Sequence, residues 1–208
     1  MNKIFSSPKN LIFWSLIVLL IIGCLVFIYF IWQYVFLTSR ATIPLGFLSS
    51  YQKVAKTSQD IVNFTNSARQ IIKEVNLSDL HSDYDQVLSL INQARQKNNQ
   101  AHDLAFELSQ NLKNMAESLN QLKTLESQRL GYEAVALEFS LVSEFIAYSQ
   151  STNNFLDSLT LAIAVDNFQN RHRVSEVLKN VNQKVLLINS LNREYLNKII
   201  LLGRSLNK

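Results

Sequence analysis

Four residues that are able to bind a metal ion alternate along one short polar segment: Asp79, His81, Asp83 and Asp85. Carboxylate oxygens and an imidazole nitrogen are ligands for divalent cations. Their spacing does not match an EF-hand loop, and the segment lacks the glycine at which that loop turns sharply. Because Asp and Ser also favour helix caps and turns, the segment is predicted to be a solvated turn rather than a metal site.

A second charged cluster is formed by Arg171, His172 and Arg173. In an up-down-up-down helical bundle the first and third turns share one end, so the acidic turn described above would lie near this basic cluster. The opposite charges either neutralise each other, with little gain in free energy, or form a surface where a partner docks. We call these seven residues the predicted interaction tip.

The histidines and glycines of the chain form no pattern that indicates catalysis. Di-iron bundles use inward-facing Glu-x-x-His pairs, and none of His81, His102 and His172 has a glutamate three residues before it. The chain also has no glycine-rich loop that would cradle a phosphate. We therefore predict a protein that is not an enzyme, with no catalytic, metal or cofactor-binding residues and no cofactor.

Three polar residues interrupt the apolar faces of the predicted helices: Thr65, Thr152 and Asn192. At 1.5 Å per residue they lie at about 27, 30 and 21 Å from the membrane end of a four-helix domain. A polar core layer at one level can fix the register of the helices or line a ligand cavity between them. Register is the expected role, and the cavity is the alternative.

The elements that must position these residues are helices. The 208 residues include only 4 Gly and 2 Pro, and Gly131 and Gly203 are the only two of these after Leu48. Folds rich in β-turns need many more of both residues, so the composition predicts an all-α fold. The net charge of +4 gives no case for nucleic acid, and the single Cys24 excludes an intramolecular disulfide.

The segment Leu11–Leu37 contains no Asp, Glu, Lys, Arg or His. It exceeds the roughly 20 apolar residues that cross the hydrocarbon core of a bilayer. Trp14 and Trp32 are about 27 Å apart along a helix, which suits one indole at each interface. The pattern predicts a single-pass transmembrane helix over residues 11–37, after a short basic tail at 1–10.

Two other fates of this segment are less consistent with its length. A cleaved signal peptide has a shorter apolar region than this one. The tetrapeptide at 21–24 resembles a relaxed bacterial lipobox, which would leave a lipidated Cys24, but the chain stays apolar to Leu37. Basic residues are balanced on the two flanks, and we expect the N-terminus inside and the following domain outside the cytoplasm.

Pro44 is predicted to end the membrane helix within a hinge at 38–46, so that a new helix begins near Phe47. Apolar residues then recur at alternating steps of three and four in four segments, which favours a bundle core. The segments run from Phe47 to Val75, from Tyr84 to Leu122, from Ala134 through Leu137, Leu141 and Phe145 to Ala162, and from Val174 to Leu206.

The breaks between segments are predicted at 76–85, at Gly131 and at 166–173. The last break contains neither Gly nor Pro, so three long helices remain an alternative to four. Charge favours four, because residues 126–166 hold six acids and one base, whereas residues 167–208 hold eight bases and two acids. The sequence predicts an up-down antiparallel four-helix bundle domain over residues 47–208.

These patterns predict a membrane-anchored scaffold or protein-interaction module. Its partners would be the lipid bilayer and other proteins, and not nucleic acid. The alternative is a sensor or small-ligand-binding module at the membrane surface. The layout resembles that of the ligand-sensing modules of bacterial chemoreceptors, although no residue motif carries the resemblance and we assign no family.

Overall fold

The structure, a computed structural model, describes residues 43–77, 84–165 and 167–206 of the chain. Nearly all of these residues are helical, and none of them lies in a strand. The elements are α1 (Leu45–Leu77), α2 (Tyr84–Ser118), a 3-10 helix (Leu119–Gln121), α3 (Leu125–Ala164) and α4 (Phe168–Leu206). The predicted all-α fold with four packed helices is confirmed. The alternative of three long helices is wrong, because α3 and α4 are separate.

The predicted membrane helix at Leu11–Leu37, the basic tail at 1–10 and residues 38–42 of the hinge lie outside the described residues. Among residues 43–77, 84–165 and 167–206, no helix combines the length and the apolar composition that a membrane crossing requires. α1 begins at Leu45, directly after Pro44, and the Pro44 carbonyl accepts a hydrogen bond from the Leu48 N–H at 3.0 Å.

The described residues form two compact units, and each unit contains a segment of all four helices. The first unit comprises residues 43–56, 108–141 and 189–206. The second comprises residues 57–77, 84–107, 142–165 and 167–188.

The first unit has an apolar core drawn from all four helices. The start of α1 lies beside the 3-10 helix that follows α2, since a Cβ added at Gly46 would come within 2.7 Å of Gln121 Oε1. The start of α3 contacts the end of α4, where the Ser127 and Ser205 hydroxyls hydrogen-bond at 3.0 Å. The largest buried side chains of this core are Phe47, Tyr51, Val54, Leu112, Met115, Leu119 and Leu202.

The second unit has its own hydrophobic core, which joins the end of α1 and the start of α2 to the late part of α3 and the early part of α4. Its fully packed members are Val75, Val87, Ile91, Ala94, Phe155, Leu156, Val174 and Val181. Burying a side chain of this size contributes about 1.5–3 kcal/mol relative to exposing it.

The turn before α3 corrects a sequence-based expectation. The break was predicted at Gly131, but the chain turns at residues 122–124 and Gly131 lies inside α3. The Thr124 hydroxyl caps α3 by accepting a hydrogen bond from the Ser127 N–H at 3.0 Å. Gly131 has a packing role instead, since a Cβ there would overlap Leu119 Cδ2.

Two asparagines build the turn between α3 and α4, which contains no Gly or Pro. The Asn167 carbonyl oxygen Oδ1 accepts a hydrogen bond from the Asn170 N–H at 2.8 Å, which caps α4. The Asn170 side-chain amide donates to the Val165 carbonyl at 2.8 Å and to the Leu161 carbonyl at 3.4 Å. This amide thus donates hydrogen bonds to carbonyl groups at the end of α3, where the helix itself supplies few donors.

The buried face of α3 agrees only in part with the one that periodicity indicates. Ala134, Thr152 and Phe155 of the predicted seam are buried. Leu137 and Leu141 are only half-buried, whereas the acidic Glu138 is buried. The charge complementarity predicted for α3 and α4 is present. Glu133 pairs with Lys198 at 2.6 Å in the first unit, and Glu144 pairs with Lys184 at 2.9 Å in the second.

Candidate functional site

The basic part of the predicted interaction tip lies in the first turns of α4, in the second unit. His172 and Arg173 are exposed and Arg171 is half-buried. The His172 Nδ1 atom is 3.6 Å from a Glu176 carboxylate oxygen, and its ring centroid is 6.2 Å from that of Phe168. The cluster is therefore a solvated surface with an aromatic neighbour.

The acidic part of the tip is described only in part. Asp79, His81 and Asp83 lie outside the described residues, whereas Asp85 is exposed in the first turn of α2. Asp85 and the basic cluster are close in sequence to Val87 and Val174, which belong to the same core of the second unit. A docking role for these charges stays a prediction.

The structure shows exposed apolar residues near the basic cluster, where α3 ends and α4 begins, which the sequence analysis does not predict. Phe168 is 83% exposed at the start of α4, and Leu161 and Val165 are also exposed near the end of α3. These three residues lie within a span of eight residues, on the two sides of the turn built by Asn167 and Asn170. We call Leu161, Val165 and Phe168 the apolar tip. The spacing of Leu161 and Val165, four apart, was a signal that could have revealed it.

A second exposed apolar surface runs along α3 in the first unit. Leu125 is 84% exposed, Tyr132 50% and Phe139 39%, and these residues are seven positions apart. A spacing of seven places them on one face of the helix. We call these three residues the α3 stripe.

A network of polar side chains joins α2 to α3 in the second unit. The buried Asn98 amide donates to the Ser149 carbonyl at 2.9 Å and to Asn153 Oδ1 at 3.0 Å. The Asn153 amide in turn donates to Asn99 Oδ1 at 3.0 Å. Since both Asn98 amide hydrogens are used within the protein, the network is suited to fixing the register of α2 against α3.

The three residues of the predicted polar core layer differ in burial and location. Thr65 and Thr152 are in the second unit and Asn192 is in the first. Thr152 is buried, whereas Thr65 and Asn192 are half-buried. The Thr65 hydroxyl donates to the Ile61 carbonyl of its own helix at 2.7 Å. The proposed single level of these three residues stays a prediction.

Thr152 adjoins two titratable groups. Burial raises the pKa of Tyr148, while the nearby Thr152 hydroxyl and the positive charge of Arg69 lower it. Burial also lowers the pKa of Arg69, and Tyr148 opposes this effect. These groups bring polar chemistry from α1 and α3 to one place in the second unit.

The first unit contains a buried carboxyl group, Glu138, near two buried tyrosines. Burial raises the pKa of Tyr51, and the charge of Glu138 raises it further. The pKa of Tyr195 is well above its ordinary value of 10.0, first because of burial and then because of Glu138 and Tyr51. Both hydroxyl groups are therefore neutral at physiological pH.

Neither a metal cluster nor a relative assigns chemistry to these groups. Within the part of the chain that the structure describes, no group of three or more His, Cys, Asp or Glu side chains could hold a metal ion. Comparisons with protein-family models, curated proteins and solved structures found no match to this chain. The exposed apolar surfaces and the internal polar contacts are therefore the features that bear on function.

Proposed function

We propose that the protein is a membrane-anchored, non-enzymatic module that binds other proteins through the apolar tip. The observation that carries the proposal is the exposure of Leu161, Val165 and Phe168 around the one turn that Asn170 joins. Burying apolar surface contributes about 25 cal/mol per Å², so a tip of this kind gains free energy when a partner covers it. Contiguous exposed apolar residues rimmed by polar ones are typical of interaction sites.

The chemistry around the apolar tip specifies a kind of partner. His172 contacts Phe168, and the exposed Arg173 follows it in the same turn, so an apolar pocket with an acidic rim would fit this part of the surface. Because Asn167 and Asn170 cap both adjoining helices, the tip is held in place before binding, which lowers the entropic cost of association.

The anchor in this proposal is the apolar segment at Leu11–Leu37, with a single pass and the domain outside the cytoplasm. The domain in turn is proposed to be one up-down antiparallel bundle, which the contacts between helix ends within each unit support. The full-length protein should remain in the membrane fraction after a carbonate wash. An intact mass beginning at a lipidated Cys24 would contradict a retained membrane helix.

The binding role is tested with a photoreactive amino acid placed at Phe168 in native membranes. The matched control is Leu186, which is exposed on the same helix and in the same unit but outside the tip. We expect discrete adducts with another protein at position 168 and none at position 186. Adducts that are the same at both positions, or absent at 168, would contradict the proposal.

A small-ligand sensor is the second candidate, favoured by the polar group of Arg69, Tyr148 and Thr152 in the second unit. A ligand bound there would raise the melting temperature, and the rise would grow with the logarithm of the ligand concentration above Kd. A screen of small polar metabolites for thermal stabilisation, with Thr152→Val as the control variant, separates the two functions. If only the first function holds, no metabolite in the screen raises the melting temperature, and none changes the adducts at position 168.

A further inference from the structure

We infer that one end of the first unit rests directly on the lipid bilayer, with Leu45 and Leu125 inserted among the headgroups. The inference rests on the proposed membrane anchor, and it adds a lipid-contacting surface within the described residues that an anchor alone does not need. The surface lies in the first unit, and the apolar tip, in the second unit, takes no part in it.

The first unit has one end at which α1 and α3 begin and at which α2 and α4 end. Gly46, in the first turn of α1, lies beside Gln121 after α2, since an added Cβ would be 2.7 Å from the Gln121 Oε1 atom. The Ser127 hydroxyl, in the first turn of α3, hydrogen-bonds the Ser205 hydroxyl in the last turn of α4 at 3.0 Å. The first residues of α1 and α3 therefore lie at the same end of the unit.

These first residues are the most exposed large apolar side chains among the described residues of the first unit. Leu45 is 82% exposed and Leu125 is 84% exposed. Phe47 and Leu119, close to them in sequence, are fully buried, so the core is closed beneath the two leucines. An apolar side chain that projects from a closed core gains free energy when it leaves water for an apolar medium.

The chain that precedes the described residues selects lipid as the occupant of this end. The apolar segment Leu11–Leu37 ends eight residues before Leu45. A fully extended chain spans at most about 3.6 Å per residue, so Leu45 lies within about 29 Å of Leu37. In the proposed anchor Leu37 lies at one interface of the bilayer. The end of the first unit that carries Leu45 is therefore tethered close to the headgroups.

The charged groups around the two leucines suit an anionic lipid surface. Lys123 and Arg204 are exposed at this end, and Glu126 is the one acidic residue with them among residues 43–49, 119–126 and 203–206. Long basic side chains beside exposed apolar ones are typical of surfaces that lie at a membrane interface. Their charged groups reach the lipid phosphates while the apolar side chains enter the boundary of the acyl chains.

The test is fluorescence quenching in the full-length protein, reconstituted into vesicles of phosphatidylcholine and phosphatidylglycerol after Cys24→Ser removes the natural thiol. A fluorophore on Leu125→Cys is compared with one on Phe139→Cys, which lies on the same α3 stripe but about 21 Å farther along the helix. Lipids that carry a nitroxide near the headgroup should quench the fluorophore at 125 severalfold more than the one at 139. Equal quenching at the two positions would overturn the inference.

Two pairs of variants in the Leu125→Cys background examine the basic residues. Lys123→Gln combined with Arg204→Gln should reduce the quenching at least twofold, because the attraction to phosphatidylglycerol is lost. Lys113→Gln combined with Arg193→Gln removes two exposed bases inside α2 and α4 of the same unit and should leave the quenching unchanged. Equal effects of the two pairs would overturn the assignment of an anionic lipid surface.

The failure of this inference is distinguishable from the failure of the proposed function. If position 125 is no more quenched than 139 while the protein survives a carbonate wash and forms adducts at position 168, the inference is wrong and the proposed function stands. Loss of the protein from the vesicles in the carbonate wash would contradict both. A photoreactive amino acid at position 125 that forms an adduct with another protein in native membranes would replace lipid as the occupant and overturn the inference.

Discussion

At the scale of single residues, position 131 of α3 requires glycine. A Cβ atom there would overlap the side chain of the buried Leu119. Gly131→Ala gains about 1 kcal/mol in helix propensity but overpacks the core, which costs about 1–3 kcal/mol. We expect a net loss of about 1 kcal/mol in the free energy of unfolding, measured by denaturant titration of the full-length protein in detergent.

The matched control for this substitution is Gly46→Ala. The atom it would approach, Gln121 Oε1, is at the end of an exposed and flexible side chain that can move into solvent. In the Leu119→Ala background, Gly131→Ala should instead stabilise the protein by about 1 kcal/mol, because the obstruction is gone. Equal effects of Gly131→Ala in both backgrounds would show that Leu119 is not the obstruction.

Asn98 is the second residue whose role can be measured. Asn98→Ala removes two hydrogen bonds to α3 from a buried site, and it should lower the free energy of unfolding by about 1–3 kcal/mol. Asn99→Ala removes only the exposed end of the same network and should cost less than about 0.5 kcal/mol. A small cost at Asn98 would contradict its role in fixing register.

At the scale of elements, the turn between α3 and α4 depends on asparagine caps. Asn167→Ala removes the cap of α4 and should lower the free energy of unfolding by about 1 kcal/mol. Asn180→Ala, at an exposed position inside α4, should be neutral or slightly stabilising because alanine is the better helix former. If both variants behave alike in denaturant titrations, the turn does not need its cap.

The contact between α3 and α4 in the first unit predicts a response to acid. The Lys198 hydrogen bond, followed by the charges of Arg129 and Lys198, holds the pKa of Glu133 below its ordinary value of 4.5, although partial burial opposes this. A lowered folded-state pKa gives stability that is present above the unfolded pKa and is lost as pH falls through the folded pKa.

Glu133→Gln should therefore melt at a lower temperature than the wild type at neutral pH. The difference should disappear as pH falls below the folded pKa of Glu133, because both proteins then carry a neutral group. Thermal melts from pH 7 to pH 3 measure this, with Glu117→Gln at an exposed site of α2 as the control. A difference that stays constant with pH would rule out a contribution of the ionised pair.

At the scale of the whole molecule, stability should fall at alkaline pH because of the buried tyrosines. The folded-state pKa of Tyr195 is raised above 10.0 by burial and by Glu138. Its contribution to stability is thus complete below pH 10.0 and is lost as pH rises toward the folded pKa, because the unfolded chain ionises first.

Tyr195→Phe removes this dependence. The wild type should lose stability relative to Tyr195→Phe as pH rises above 10.0, measured by urea unfolding between pH 8 and pH 12. Tyr132→Phe, at a half-exposed position, is the control and should show no such relative change. A constant difference between wild type and Tyr195→Phe would mean that Tyr195 ionises equally in both states.

Much of the fold follows from local chemistry that a sequence displays. The scarcity of Gly and Pro predicted helices throughout, and α2 shows how well periodicity locates a core. The seam predicted from Tyr84 to Leu122 is buried at every position from Val87 onward, and only Tyr84 at its start is exposed. On such a helix the outer face is polar, so the contrast between the two faces identifies the inner one.

α3 lacks that contrast, and there the tertiary structure decided which face is buried. Leu125, Tyr132 and Phe139 are exposed, whereas the polar Glu138 and Ser149 are buried, because packing partners from the other helices determine what is covered. The apolar tip was missed for the same reason. A turn made by asparagine caps, rather than by Gly or Pro, gives only a weak signal, since its hydrogen bonds exist only once two helices have formed and met.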